Sequence, residues 1–183
     1  MFGEFFHTRP DLRPVGQDIL LAKFLTPLGC EYVRACVEGV DTWTPNARDK
    51  DYFTQDIHLR KDVPDVHEML KQHLDDVIFP AATSHWNCSG AVVENLFAIR
   101  YTLDTQTSLD LHHDDSYITG SVKLNNDYKG AELYFPEKNF TNEDIEVGDI
   151  LIWPGQITHR HGCKELEYGI KYALTIWTKE CTE

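Results

Sequence analysis

Several features are scarce in this chain, and each shortage narrows what it can be. No apolar run approaches the roughly 18 residues that cross a bilayer, so no membrane-spanning helix or membrane partner is expected. The segment from Met1 to Pro14 carries charges and prolines and lacks the apolar stretch of a secretory signal, so a cytoplasmic location is the expectation. Basic charge is in short supply: 17 Lys and Arg stand against 30 Asp and Glu, a net −13. Neutralising phosphates needs a basic face, so a nucleic-acid partner is excluded at this stage. The five cysteines, Cys30, Cys36, Cys88, Cys163 and Cys181, form an odd, scattered set without a CxxC pair. Neither a zinc knuckle nor a redox motif is indicated, and reduced thiols are the expected state. No internal repeat, low-complexity tract or linker divides the chain.

What is present suffices for one core. Of 183 residues 42% are apolar, including 4 Trp, 8 Tyr and 9 Phe, so a single domain spanning 1–183 is expected. The first third, to about residue 85, reads helical. Thr26-Pro27 opens a run through Leu28, Tyr32, Val33 and Cys36, with Gly39 past its end. Asp65 to Ile78 reads as a second helix: Val66, Met69, Leu70, His73, Leu74 and Val77 recur at spacings of three and four, and Pro80 is expected to stop it. From about residue 90 to 178 the period changes. The runs 91–101, 117–124, 131–135, 149–153 and 170–177 are short and rich in β-branched and aromatic residues, with turn signals between them. This pattern predicts an α+β chain, mainly β with supporting helices, built as an antiparallel sandwich or barrel.

The chemistry-bearing cluster is Asp110-Leu111-His112-His113-Asp114-Asp115. On a strand, positions i and i+2 share a face, so His112 and Asp114 can point inward together, or His113 and Asp115 can. His159-Arg160-His161 forms a second cluster far along the chain. Two imidazoles and one carboxylate on one side of a metal leave three positions open, the arrangement used by non-haem Fe(II) oxygenases. Taken alone, such a short motif also suits a solvated polar loop. The segment Gly169 to Trp177 alternates strictly. Lys171, Ala173, Thr175 and Trp177 share one face; Tyr172, Leu174 and Ile176 share the other. The lysine-bearing face either meets solvent or lines an interior where the lysine requires a charged partner, such as a dicarboxylate.

Residues 24–177 resemble the catalytic domain of 2-oxoglutarate- and Fe(II)-dependent prolyl and lysyl hydroxylases, most of all the procollagen lysyl hydroxylases. The resemblance is carried by Phe24-Leu25-Thr26-Pro27 with Cys30, by Asp56-Ile57-His58-Leu59, and by Ile99-Arg100-Tyr101 followed by Ser108-Leu109 and His112-His113-Asp114. It continues in Leu124-Asn125 with Asp127-Tyr128-Lys129-Gly130, and in Trp153-Pro154-Gly155 with Thr158-His159-Arg160-His161-Gly162. It implies a double-stranded β-helix, the cupin-like jelly roll, for the core. Carried over by position, it makes His112, Asp114 and His161 the iron ligands and Lys171 the residue that holds the distal carboxylate of 2-oxoglutarate. Tyr101, Leu133, Thr175 and Trp177 would line the co-substrate pocket.

Two positions depart from the lysyl hydroxylase pattern. Lys171 replaces an arginine, a point charge in place of a fork. Ser121 replaces an asparagine, with Lys123 two residues further on the same face. The implied cofactors are Fe(II), 2-oxoglutarate as co-substrate and ascorbate as reductant; the implied partners are O2 and a peptidyl lysine or proline. A free amino acid or other small molecule is the alternative substrate, and a non-catalytic metal-binding jelly roll the alternative role. Asp114 speaks against a halogenase, which lacks this carboxylate. His113 and His159 are expected outside the ligand set, Asp110 as a solvated carboxylate, and His58, His67, His73 and His85 as ordinary helix or loop residues.

Overall fold

Thr26-Pro27 does begin a helix, and the local chemistry shows why. In the computed structural model, which describes residues 3–41, 43–45 and 54–181, Thr26 is extended and its Oγ1 accepts from the Gly29 amide at 3.2 Å. Pro27 then takes the first turn of α1 (Pro27–Glu38), where its missing N–H costs nothing. Gly29 is required there: a Cβ would stand 2.3 Å from the Phe5 carbonyl oxygen. Cys30, Val33 and Val37 form the buried stripe.

Two expectations about the first third need correction. The first is that it is helical. It also contributes β1 (Arg13–Gly16) and β2 (Ile19–Lys23), an antiparallel hairpin, followed after α1 by β3 (Thr44–Pro45) and β4 (Gln55–His58). β2 is apolar at four successive buried positions, so it shows no alternation by which to recognise it. The second concerns Pro80, which does not end the second helix. The chain runs through α2 (Leu59–Asp62) and α3 (Pro64–His73), makes a π-turn over Leu74–Ile78, and continues as α4 (Phe79–Trp86). Pro80 falls in the first turn of α4, where a proline is tolerated. The wider turn also shifts the helical phase by a residue, so Ile78 and not Val77 enters the core.

The rest is β-structure: β5 (Ala91–Tyr101), β6 (Leu109–His112), β7 (Ile118–Lys123), β8 (Tyr128–Gly130), β9 (Leu133–Phe135), β10 (Phe140–Thr141), β11 (Asp149–Pro154), β12 (His161–Cys163), β13 (Leu166–Gly169) and β14 (Lys171–Glu180). The main sheet has the order β1-β2-β11-β7-β14-β5-β4-β3, a smaller one β10-β9-β12-β6, and β13 pairs with β8. All pairings are antiparallel. Ile19, Leu21, Leu151 and Trp153 of the large sheet pack against Leu133 and Phe135 of the small one. The other face of the large sheet packs on the helices through Leu174, Ile176, Ile57, Leu70 and Phe79. This is a jelly roll backed by a helical layer. No helix among the described residues is long and apolar enough to cross a membrane.

Candidate metal centre and its cavity

The small sheet brings the two histidine clusters together. His112 ends β6, His161 begins β12, and the two stand directly opposite in the antiparallel pair, ring centroids 4.5 Å apart. Gly162 permits this approach, since a Cβ there would lie 2.7 Å from the Leu109 carbonyl oxygen. Asp114 follows two residues after His112 and turns inward. Its Oδ1 lies 3.6 Å from His112 Nε2 and its Oδ2 lies 3.4 Å from His161 Nε2. One potential ligand atom from each of the three residues falls within 4.8 Å of the others.

Backbone carbonyls set the imidazoles. His112 Nδ1 donates to the Asp110 carbonyl at 2.8 Å, and His161 Nδ1 donates to the His159 carbonyl at 2.8 Å. A carbonyl only accepts, so each Nδ1 carries its proton and each Nε2 is turned toward the cluster. Burial works against charge on Asp114, but His112 and His161 outweigh it and hold the carboxyl below its usual range. Burial also works against His112⁺, and the bond to Asp114 and the Asp110 carbonyl raise it nonetheless. For the more deeply placed His161, burial wins over Asp114 and keeps the ring below its ordinary value. Asp114 Oδ2 is buried without a hydrogen-bond partner. A buried carboxylate oxygen with no donor, beside two imidazoles whose Nε2 atoms are turned toward it, fits a divalent first-row metal.

The cluster opens on a cavity of about 430 Å³, and the structure brings the other expected residues into its wall: Tyr101, Ser121, Leu133, Lys171, Thr175 and Trp177. The strict alternation of β14 is thereby resolved. Its lysine-bearing face is interior, and Lys171 is only 4% exposed. Lys171 Nζ donates to the Ala131 carbonyl at 2.8 Å, lies 3.4 Å from Cys163 Sγ, and sits 4.8 Å above the Tyr101 ring. Among the described residues no acidic side chain forms an ion pair with it. Burial, then Cys163, pushes the Tyr101 phenol well above its usual value. Lys123 shares the strand face but turns away, donating to the carbonyls of Glu143 and Ile145. Burial, then repulsion from Lys171, lowers its pKa.

Of the alternative pair, His113 and Asp115 reach only the exposed rim of the cavity. His159 is buried outside the cluster, its Nε2 donating to the Gln17 carbonyl at 3.0 Å and its Nδ1 3 Å-scale partner being Thr158 Oγ1, at 2.9 Å. Asp110 is exposed and contributes its carbonyl, not its carboxylate. Several wall residues escaped the sequence reading, among them Asp56, Phe97 and Cys163. Phe97 lies at a period of two from Tyr101 along β5, and Cys163 at two from His161, so strand alternation could have found both.

A jelly roll with two histidines and an aspartate at the end of such a cavity has the architecture of the non-haem iron oxygenases. The comparisons with known proteins narrow that class. No protein-family profile matches the chain. It is 24% identical over 172 residues, 86% of its length, to the Drosophila melanogaster procollagen-lysine,2-oxoglutarate 5-dioxygenase, covering 23% of that protein. It is 28% identical over 90% of its length to the 2-oxoglutarate and iron-dependent oxygenase domain-containing protein ICU11 of Arabidopsis thaliana, covering 46% of it. The chain thus spans less than half the length of these curated relatives. Among solved structures, the viral collagen prolyl hydroxylase of Paramecium bursaria Chlorella virus-1, with 2-oxoglutarate bound, superposes at a TM-score of 0.64, with 14% identity over 90% of this chain and 97% of that one. The carbocyclase SnoK of nogalamycin biosynthesis shares the fold at 0.61, with 11% identity over 90% of this chain and 80% of that one. By sequence and by fold the chain is similar to 2-oxoglutarate- and iron-dependent oxygenases of the lysyl and prolyl hydroxylase type.

Proposed function

We propose that this chain is an Fe(II)- and 2-oxoglutarate-dependent dioxygenase that hydroxylates an unactivated C–H, that of a peptidyl lysine or proline, and releases succinate and CO2. One observation carries the reading: the His112, Asp114 and His161 cluster shares a cavity with a buried ammonium, Lys171, that has no acidic partner among the described residues. A metal ligand set at one place and a cation at another match the two ends of a chelating dicarboxylate.

In this reading His112, Asp114 and His161 hold ferrous iron, which supplies the oxygen-activating redox chemistry when bound together with the co-substrate. The two backbone carbonyls keep both Nε2 atoms available throughout. Lys171 takes the distal carboxylate of 2-oxoglutarate, assisted by the Tyr101 hydroxyl. Ser121 and Thr175 offer hydroxyls along the cavity, while Leu133 and Trp177 supply apolar wall and exclude water. Asp114 occupies the ligand position a halide would need. Ascorbate serves as an accessory reductant. The five free cysteines support a reducing compartment such as the cytoplasm. The SnoK likeness keeps a small-molecule substrate as the second reading.

The test is direct. Protein supplied with Fe(II), 2-oxoglutarate and O2 is offered peptide and amino-acid panels, and succinate is quantified together with one-oxygen mass gains in the panel. Succinate formation that a lysine or proline peptide stimulates is expected. Absence of succinate under all panels overturns the enzyme reading; stimulation only by small molecules overturns the peptide substrate.

A further inference from the structure

A buried hydroxyl stands at the metal end of the cavity, and the proposed reaction gives it no part. Thr119 shares a face of β7 with Ser121, so it points to the cavity side of the large sheet, and it is fully buried. β7 lies between β11 and β14, and Thr119 is directly opposite Trp153 on one and Trp177 on the other. Trp153 in turn packs edge-on against His161, ring centroids 5.0 Å apart. The hydroxyl is therefore walled in by two indoles beside the ligand cluster.

Hydrogen-bond accounting narrows what it does. Among the described residues six buried side-chain atoms lack a partner, and four of them meet here: Asp114 Oδ2, Thr119 Oγ1, Trp153 Nε1 and Trp177 Nε1. An indole N–H only donates, so neither tryptophan offers the hydroxyl an acceptor. An ionised carboxylate only accepts, which leaves Asp114 Oδ2 as the acceptor of the group. Burial raises the Asp114 carboxyl; His112, His161 and, last, the Thr119 hydroxyl lower it, so the hydroxyl is close enough to act on the carboxylate. The other two ligands are already oriented, His112 by the Asp110 carbonyl and His161 by the His159 carbonyl. Asp114 has no such support, because its nearest neighbours are the Nε2 atoms of the other two ligands, at 3.6 and 3.4 Å. We propose that Thr119 is the positioning residue for Asp114: its hydroxyl donates to the carboxylate and fixes the plane in which that carboxylate meets the metal. A carboxylate oxygen accepts on two sides, so the bond to Thr119 and the bond to a metal are compatible. With it, each of the three ligands is steered by one hydrogen bond from outside the cluster.

The inference rests on reading His112, Asp114 and His161 as a metal centre, and the experiment separates the two. Thr119→Val removes the hydroxyl at nearly constant volume, and Thr119→Ser retains it. Co(II) is titrated into the full chain without co-substrate, and affinity and visible absorption are recorded, with circular dichroism and urea melts as measures of folding. Thr119→Val should bind Co(II) roughly 10- to 100-fold more weakly, the loss typical when a metal ligand is deprived of its hydrogen-bonded support, and its absorption band should shift. Thr119→Ser should stay within a few fold of the parent and keep the parent's band. A packing role alone would move the urea melt and leave the Co(II) spectrum of the folded protein where it was. Parental affinity and spectrum in Thr119→Val, or a Thr119→Ser variant as impaired as Thr119→Val, overturns the inference while the metal centre stands. If Thr119→Val does not fold, Thr119→Ala set against Thr119→Ser makes the same comparison. A parent protein that takes up no Co(II) overturns both.

Discussion

The two faces of β14 carry opposite kinds of information. Tyr172, Leu174 and Ile176 face the helical layer, where they are buried among Ile57, Val122 and Ile150 and need only shape and apolar surface. Lys171, Ala173, Thr175 and Trp177 face the cavity, where a buried ammonium has no acidic partner among the described residues and the Trp177 indole N–H has no hydrogen-bond partner. One backbone supports both, so a side chain's face decides whether its loss is felt in stability or in ligand binding. The core face is satisfied within the chain. In the proposed reading the cavity face is completed by a bound ligand.

The largest effect that can break this contrast lies at the metal centre. His112→Ala, Asp114→Ala or His161→Ala should each reduce succinate formation to background and abolish stoichiometric uptake of Co(II), read by its visible absorption, while the protein remains folded. His159→Ala should bind metal and turn over measurably, because its contribution to His161 is a backbone carbonyl that the substitution retains. A His159 variant as dead as the His161 variant, with circular dichroism unchanged, would show that the ligand set is misassigned.

On the opposite face, Leu174→Ala should cost about 2–5 kcal/mol of unfolding free energy, as expected when a fully buried leucine leaves a cavity. Its folded fraction should still take up metal at low temperature. Full stability in urea melts, or lost metal uptake by protein that is demonstrably folded, would mean the two faces are not separable.

Lys171→Ala sharpens the contrast from the cavity side. Charge-assisted hydrogen bonds contribute about 1.5–3 kcal/mol, so the 2-oxoglutarate KM should rise roughly 10- to 100-fold with a smaller change in kcat. Removing the buried ammonium should not destabilise the fold, since it pairs with no acidic side chain among the described residues. An unchanged KM would detach Lys171 from the co-substrate.

How legible each face was in the sequence follows the same division. The alternation of 171–177 sorted the side chains into two sets, yet could not say which set faced inward, because a lysine with a tryptophan suits a solvent face as well as a lined cavity. β5 was legible to the residue, since Ala91–Tyr101 is bounded by Gly90 and rich in β-formers. β2 was not, because a strand covered on both sides loses its period. The phase of the second helix was read correctly as far as Leu74; the π-turn over Leu74–Ile78 that then shifts it is announced by no local pattern. At the site, the spacing of His112, Asp114 and His161 was visible, but the pairing of His112 with His161 across β6 and β12 depends on strand register. The carbonyls of Asp110 and His159 were invisible in principle, since backbone groups leave no mark on residue identity.

The smallest predicted effect contrasts a histidine on the core side with those of the metal centre. His73 stacks on Phe6, centroids 4.1 Å apart and 6° from parallel, and its Nε2 is buried without a hydrogen-bond partner. Burial holds its pKa below the ordinary histidine value, with Asp76 opposing only partly. The unfolded chain therefore binds more protons than the folded one as the pH falls below about 6.5, and stability declines in that window while remaining complete above it. His159, also lowered by burial, adds to the same acid loss from the cavity side of the molecule. The slope from His73 alone should stay below about 1.4 kcal/mol per pH unit, the limit for one proton. Urea unfolding of the metal-free protein between about pH 5 and 8 measures it. His73→Phe, which keeps the ring stack and removes the titrating nitrogen, should flatten the curve and leave the His159 portion. A variant whose acid loss matches the parent would place the whole pH dependence on the cavity side.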